Sequence, residues 1–96
     1  DATVFLRNPP DGSVYRLTSD VPADAQKIPI VAETALTGTR LRIWADGALL
    51  AECPAPNCTA WWPLSPGEHR FWADLVGEDK NTISSPRIQV FVEKSH

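Results

Sequence analysis

Residues 40–52 read Arg40-Leu41-Arg42-Ile43-Trp44-Ala45-Asp46-Gly47-Ala48-Leu49-Leu50-Ala51-Glu52, and this stretch decides the fold class. Apolar and polar side chains alternate through its first half, the two-residue period of a strand with one buried face. Asp46-Gly47 then supplies two central residues that accept positive φ, as a two-residue primed turn requires. The stretch is a β-hairpin, Arg40 to Ala45 and Ala48 to Glu52.

Working upstream, Lys27 to Thr34 carries Ile28, Ile30 and Ala32 on one face. Pro29 cannot donate to a ladder, so it places this strand at an edge or a bulge. Thr18 to Gln26, with Asp20, Pro22 and Asp24, has no period and reads as a loop with room for one helical turn. Ser13 to Leu17 is a short strand or the continuation of an edge, and Ala2 to Arg7 is a strand stopped by Asn8-Pro9-Pro10-Asp11-Gly12. Downstream, Thr59 to Leu64 ends at Ser65-Pro66-Gly67, His69 to Val76 ends at Gly77-Glu78-Asp79-Lys80-Asn81, and Arg87 to Glu93 closes the chain. Short strands at roughly ten-residue spacing, with turn signals between them, predict an all-β chain. The expected architecture is an immunoglobulin- or fibronectin-III-like β-sandwich of about seven antiparallel strands.

The 96 residues are 43% apolar and 22% charged with net charge −3, the balance of one globular domain spanning 1–96. Nothing basic extends beyond Arg40-Leu41-Arg42, which argues against nucleic acid as a partner. The apolar runs are far short of the roughly 20 residues of a membrane helix. The chain starts without Met and contains none, which points to a piece excised from something longer. Cys53 and Cys58 flank Pro54-Ala55-Pro56-Asn57, a reversal that brings the two sulfurs together. The only histidines are His69, in a predicted strand, and His96, at the chain end, so a zinc site lacks its third and fourth ligands. A disulfide and an oxidising compartment follow, with two free thiols as the alternative.

Period two places Val4, Leu6, Ile28, Ile30, Leu41, Ile43, Leu49, Trp62, Leu64, Phe71, Leu75, Ile88, Val90 and Val92 inside. It leaves Trp44, Trp72 and Phe91 outside, side by side on one sheet and flanked by Arg42 and Arg70. Trp61 and Trp62 point to opposite faces, so Trp61 is the one available to a partner. The outer aromatics allow two readings, an interaction surface or a ladder of cross-strand pairs that only stabilises the sheet. No nucleophile motif, paired acid and histidine, metal set or cofactor loop is visible; Ser84-Ser85 precedes Pro86 in a loop, and Asp11, Asp46 and Asp79 read as turn formers.

Three stretches carry a family likeness: Asn8-Pro9-Pro10-Asp11-Gly12-Ser13, the hairpin Arg42-Ile43-Trp44-Ala45-Asp46-Gly47 with Ala48-Leu49-Leu50, and Trp62-Pro63-Leu64-Ser65-Pro66-Gly67-Glu68-His69. They resemble the C-terminal domain of bifunctional class A penicillin-binding proteins of the 1C type. The resemblance implies a non-catalytic accessory domain that follows glycosyltransferase and transpeptidase domains building peptidoglycan outside the cytoplasmic membrane. It also implies an extracytoplasmic location, with membrane anchoring through the parent chain. Expected partners are other domains of that chain or a cell-wall protein. The alternative is a cell-wall glycan-binding module that uses Trp44, Trp72 and Trp61. No catalytic residue and no cofactor is carried over.

Overall fold

In a computed structural model of the chain, residues 4–18, 20–22, 25–35, 40–77 and 81–94 are described. The expectations placed on Ala2, Asp24, Asp79 and His96 lie outside them. Among the described residues there are nine strands and no α-helix: β1 Val4–Asn8, β2 Ser13–Leu17, β3 Lys27–Thr34, β4 Arg40–Ala45, β5 Ala48–Pro54, β6 Asn57–Pro63, β7 Gly67–Val76, β8 Thr82–Ser84 and β9 Ile88–Lys94. They form two layers. One has the order β1-β3-β6; the other has the order β2-β9-β7-β4-β5, with β8 continuing the β9 side of β7. Burial alternates strictly along β3, β4 and β6, so each of these strands gives alternate side chains to the space between the layers.

That space is filled by Val4, Ile28, Ile30, Ala32, Ala60 and Trp62 from the smaller sheet. Leu41, Ile43, Phe71, Ala73, Leu75, Val90 and Val92 come from the larger one. Leu6, Leu64 and Ile88 are half-buried against this core. Leu49, expected inside, is 51% exposed. The cause is the hairpin itself. Asp46 (φ 50°) and Gly47 (φ 89°) form the two-residue turn, which sets Leu49 directly opposite the outward Trp44, and opposed residues share a face. A bulge then pairs Ile43 with Ala51, and the extra residue, Leu50, packs against the core instead.

Pro29 lies in β3, the middle strand of its sheet rather than an edge. Pairing between β1 and β3 ends at Asn8↔Val31, after a bulge, so β3 is uncovered on that side when Pro29 is reached. The Asn8 side-chain amide donates to the Pro29 carbonyl at 2.6 Å. That carbonyl faces β1, and the nitrogen of the same residue faces the same way, so no ladder bond is lost. The strand is central, yet it is an edge at this one residue.

The chain changes layer at both sides of the sandwich. From β1 to β2 it passes through the turn at Pro9-Pro10, where Gly12 (φ 83°) donates to the Gln89 carbonyl at 2.8 Å and the Asp11 carboxylate accepts from the Gln89 amide at 2.8 Å. This latch starts β2 alongside β9, and the two run parallel. The expectation of antiparallel strands throughout fails here because a crossover between layers, unlike a hairpin, does not force reversal. On the other side, β5 leads to β6 through Pro54-Ala55-Pro56-Asn57. A Cys53–Cys58 disulfide, S–S 2.07 Å, joins the edge strands of the two layers. Closing a loop of about six residues restrains the unfolded chain by about 2 kcal/mol. Reduction under native conditions is therefore expected to lower the unfolding free energy by about that amount, read from urea melts with and without a phosphine reductant; an unchanged midpoint would show that the bridge has no part in stability.

Strand β8 had no counterpart in the sequence reading, because three residues are too few to show a period. Between β8 and β9, Pro86 breaks the strand. Ser85 repairs the gap: its Oγ accepts from the Ala73 amide at 2.8 Å and its own amide donates to the Ala73 carbonyl at 2.7 Å. A buried serine in a proline-containing loop is thus accounted for by backbone bonding.

Candidate functional site

The outer face of the larger sheet carries most of the residues singled out from the sequence, and cross-strand register sets how they meet. Trp44 on β4 is directly opposite Trp72 on β7. Their rings are nearly parallel, 10° apart with centroids 6.3 Å from each other. Arg42, two residues before Trp44 on the same face, places its guanidinium 5.6 Å from the Trp44 centroid. Arg87, just before β9, lies 4.9 Å from the Trp72 centroid. Both indoles are half-buried. Each is engaged with the other and with a guanidinium, an arrangement with cation–π attraction on either side of an aromatic pair.

Asp74 holds this row to the next. Its Oδ2 accepts from the Trp44 indole Nε1 at 2.9 Å and from Arg42 Nη2 at 3.4 Å, and its Oδ1 accepts from the Ser84 hydroxyl at 2.7 Å. Asp74 is only 8% exposed, a carboxylate buried with its partners. Sequence reading missed Asp74 and Arg87. The signal for Asp74 was its phase: it alternates outward with Trp72 on β7, as Arg42 does with Trp44 on β4. Arg87, expected at the start of the last strand, lies just ahead of β9 in the structure, and no local pattern set it over Trp72.

The remaining named residues are spread apart. Phe91, 42% exposed, is on the same outer face, but it pairs with Glu68 and Val14. Trp72 is four residues from Glu68 along β7, roughly 13 Å at strand rise, with Arg70 and Gln89 between. The expected row of Trp44, Trp72 and Phe91 therefore does not form. Trp61, 60% exposed, is on β6 in the other sheet, opposite Pro29. It faces away from Trp44 and Trp72, because the two outer faces of a sandwich are opposed. Among the described residues no ring or guanidinium packs on it.

Arg70, two residues before Trp72, lines a recess of ≈ 380 Å³ together with Asp46, Gly47, Trp72 and Arg87. Asp46 is fixed there by the turn: its Oδ1 accepts from the Arg70 amide at 2.9 Å, and its Oδ2 lies 2.6 Å from His69 Nδ1. His69 Nε2 is 2.7 Å from the Ser65 carbonyl, so both ring nitrogens face oxygen atoms. Partial burial pushes the Asp46 carboxyl up, but the bonds from His69 and the Arg70 amide, and the charges of both residues, outweigh it and hold the carboxyl below the usual aspartate range.

The stability from this contact is present above the aspartate pKa of the unfolded chain. It is lost as pH falls through the lower folded value, a window below about pH 4. A carbon-detected NMR titration is expected to give Asp46 a midpoint below that of free aspartate, moving up in His69→Gln; a midpoint at or above the free value would refute the pairing.

Chemically, the hydroxyl and imidazole groups closest to this face are already committed. The hydroxyls of Ser84 and Ser85 serve Asp74 and Ala73, and His69 is held by Asp46 and Ser65. Among the described residues no group of three His, Cys, Asp or Glu side chains is placed to hold a metal ion.

Comparison with solved structures supports the same architecture. The chain is similar to a fibronectin(III)-like module of CbhA from Clostridium thermocellum, with 22% identity, TM-score 0.77 and 94% of each chain covered. A β-glucuronidase from Bacteroides uniformis aligns with 16% identity and TM-score 0.63, over 95% of this chain and 11% of that one. A lytic polysaccharide monooxygenase from Jonesia denitrificans aligns with 16% identity and TM-score 0.52, over 83% and 58%. At such identities the likeness concerns the fold, which is that of a fibronectin-III-like sandwich. No curated protein sequence matches significantly. The sequence model of the penicillin-binding protein C-terminus family matches residues 2–89, from ahead of β1 to the Gln89 that latches β2. With nearly its whole length matched and the sandwich in place, the chain belongs to the penicillin-binding protein C-terminus family.

Proposed function

We propose that this chain is a non-catalytic, extracytoplasmic accessory module of a peptidoglycan synthase, and that it acts by docking on or positioning the catalytic domains or a cell-wall partner. The observation carrying this reading is the family match over residues 2–89. The disulfide between Cys53 and Cys58 supports an oxidising compartment. The commitment of the serine and histidine side chains to structural bonds favours surface recognition over chemistry. The test is calorimetric titration of the 96-residue chain against the glycosyltransferase and transpeptidase portion of the penicillin-binding protein that carries it. Saturable heat is expected. Absence of binding, together with unchanged glycan polymerisation when the module is deleted, would remove the reading.

A second reading, glycan binding through exposed tryptophan, is favoured by one observation, the open indole of Trp61. Trp44 and Trp72 fit it less well, since a sugar would compete there with Arg42, Arg87 and the neighbouring ring. Muropeptide titration followed by tryptophan fluorescence tests this, and a response that survives in Trp61→Ala would count against Trp61 as the platform.

A further inference from the structure

The recess beside Trp72 has an unused cation. Five of the six arginines in the chain, Arg7, Arg16, Arg40, Arg42 and Arg70, have a carboxylate within 4.0 Å. Arg87 has none among the described residues. Its guanidinium lies over the Trp72 ring at 4.9 Å, which holds one face of the group against an indole and leaves its in-plane N–H donors to other partners. Arg70 lines the same recess, and its 3.5 Å contact with Glu68 is between exposed side chains and is readily exchanged. Asp46, the acid in the lining, has both oxygens in use by His69 and the Arg70 amide.

We propose that this recess, lined by Arg70, Arg87, Trp72, Asp46 and Gly47, is a carboxylate-binding site that receives an Asp or Glu side chain from an acidic polypeptide segment. Two guanidinium groups on the lining of one recess match a carboxylate in charge, and a guanidinium binds a carboxylate in bidentate geometry. The aliphatic stem of the incoming residue packs against the Trp72 edge. A polypeptide is favoured over a sugar acid because the Trp72 ring is already engaged by Arg87 and Trp44 and offers no open face on which a sugar could stack. The net charge of the chain, −3, repels an acidic partner at long range. Binding therefore depends on short-range contact, with only partial screening by salt. The site deepens the docking reading above by naming the chemistry of the partner, and it rests on that reading for its role.

The test follows the Trp72 indole and Arg87 Nε resonances of the 96-residue chain, whose core closes within its own two sheets. The probes are a capped triglutamate peptide, a capped triglutamine peptide and N-acetylmuramic acid. Triglutamate is expected to shift both resonances saturably, to bind about tenfold or more weakly to Arg87→Gln and Arg70→Gln, and to bind equally to Arg16→Gln. No shift, an equal response to triglutamine, or full binding by Arg87→Gln would overturn the site. Response to N-acetylmuramic acid with triglutamate silent would overturn the polypeptide assignment. Synthase binding that persists while triglutamate is silent removes this site and spares the docking reading. Triglutamate binding without synthase binding does the reverse.

Discussion

Trp62→Ala is expected to lower the unfolding free energy by about 3–5 kcal/mol, a large share of the roughly 5–15 kcal/mol that holds a small domain folded. Trp62 points inward from β6 and is 7% exposed. Its ring meets Phe71 edge-on at 5.0 Å and 82°, and His69 at 4.7 Å and 67°. Phe71 lies in the larger sheet, so this one side chain joins the two layers across the core. Truncation removes its burial and leaves a cavity that neighbouring strands, pinned by their ladders, cannot fill. Trp61→Ala, one residue earlier, is expected within about 0.5 kcal/mol of the parent. Urea unfolding followed by circular dichroism separates the two. A larger loss at Trp61 than at Trp62 would mean that the faces of β6 are assigned the wrong way round.

The second large effect is expected at Asp74. Asp74→Ala leaves the Trp44 indole N–H, the Ser84 hydroxyl and the Arg42 guanidinium without their acceptor. Arg42 is the costly one: its side chain is 29% exposed, and its Nε is already buried without a hydrogen-bond partner among the described residues. Removing one member of a buried pair leaves an uncompensated charge, and about 3 kcal/mol is expected here, the lower end for such a site because Arg42 retains some water. The double variant Arg42→Met with Asp74→Leu should recover most of the loss, since two apolar side chains replace the pair without orphaning either. A loss of under about 1 kcal/mol in Asp74→Ala would place the contact with ordinary surface ion pairs. Failure of the double variant to recover would shift the weight to Trp44 and Ser84.

These two sites differ in how far they could be read beforehand. Trp62 was assigned inward because Trp61 and Trp62 are neighbours on a strand and only one of them can share the phase of Leu64; period two suffices for that. The network at Asp74 joins β4, β7 and β8, and no local pattern reports which residue of one strand will stand opposite which residue of another. Phe91 and Leu49 show the same limit. The outward phase of Phe91 was legible, but its distance from Trp72 depends on the β7–β9 register. Leu49 followed the apolar pattern of its strand, yet the Asp46-Gly47 turn set it opposite Trp44 and on the outer face.

By itself the sequence determined the strands other than β8, their buried faces except at Leu49, the Asp46-Gly47 hairpin, the nearness of Cys53 and Cys58, and the family likeness, because each of these rests on spacing within a few residues or on a run of quoted motif. Only the tertiary structure decided that β3 is central despite Pro29, that β2 lies parallel to β9, and that Arg87 and Arg70 line one recess with Trp72 while Trp61 faces the opposite way. Those outcomes depend on strand order and register, which are settled by the packing of two sheets over a shared core and leave no trace in the neighbouring residues of the chain.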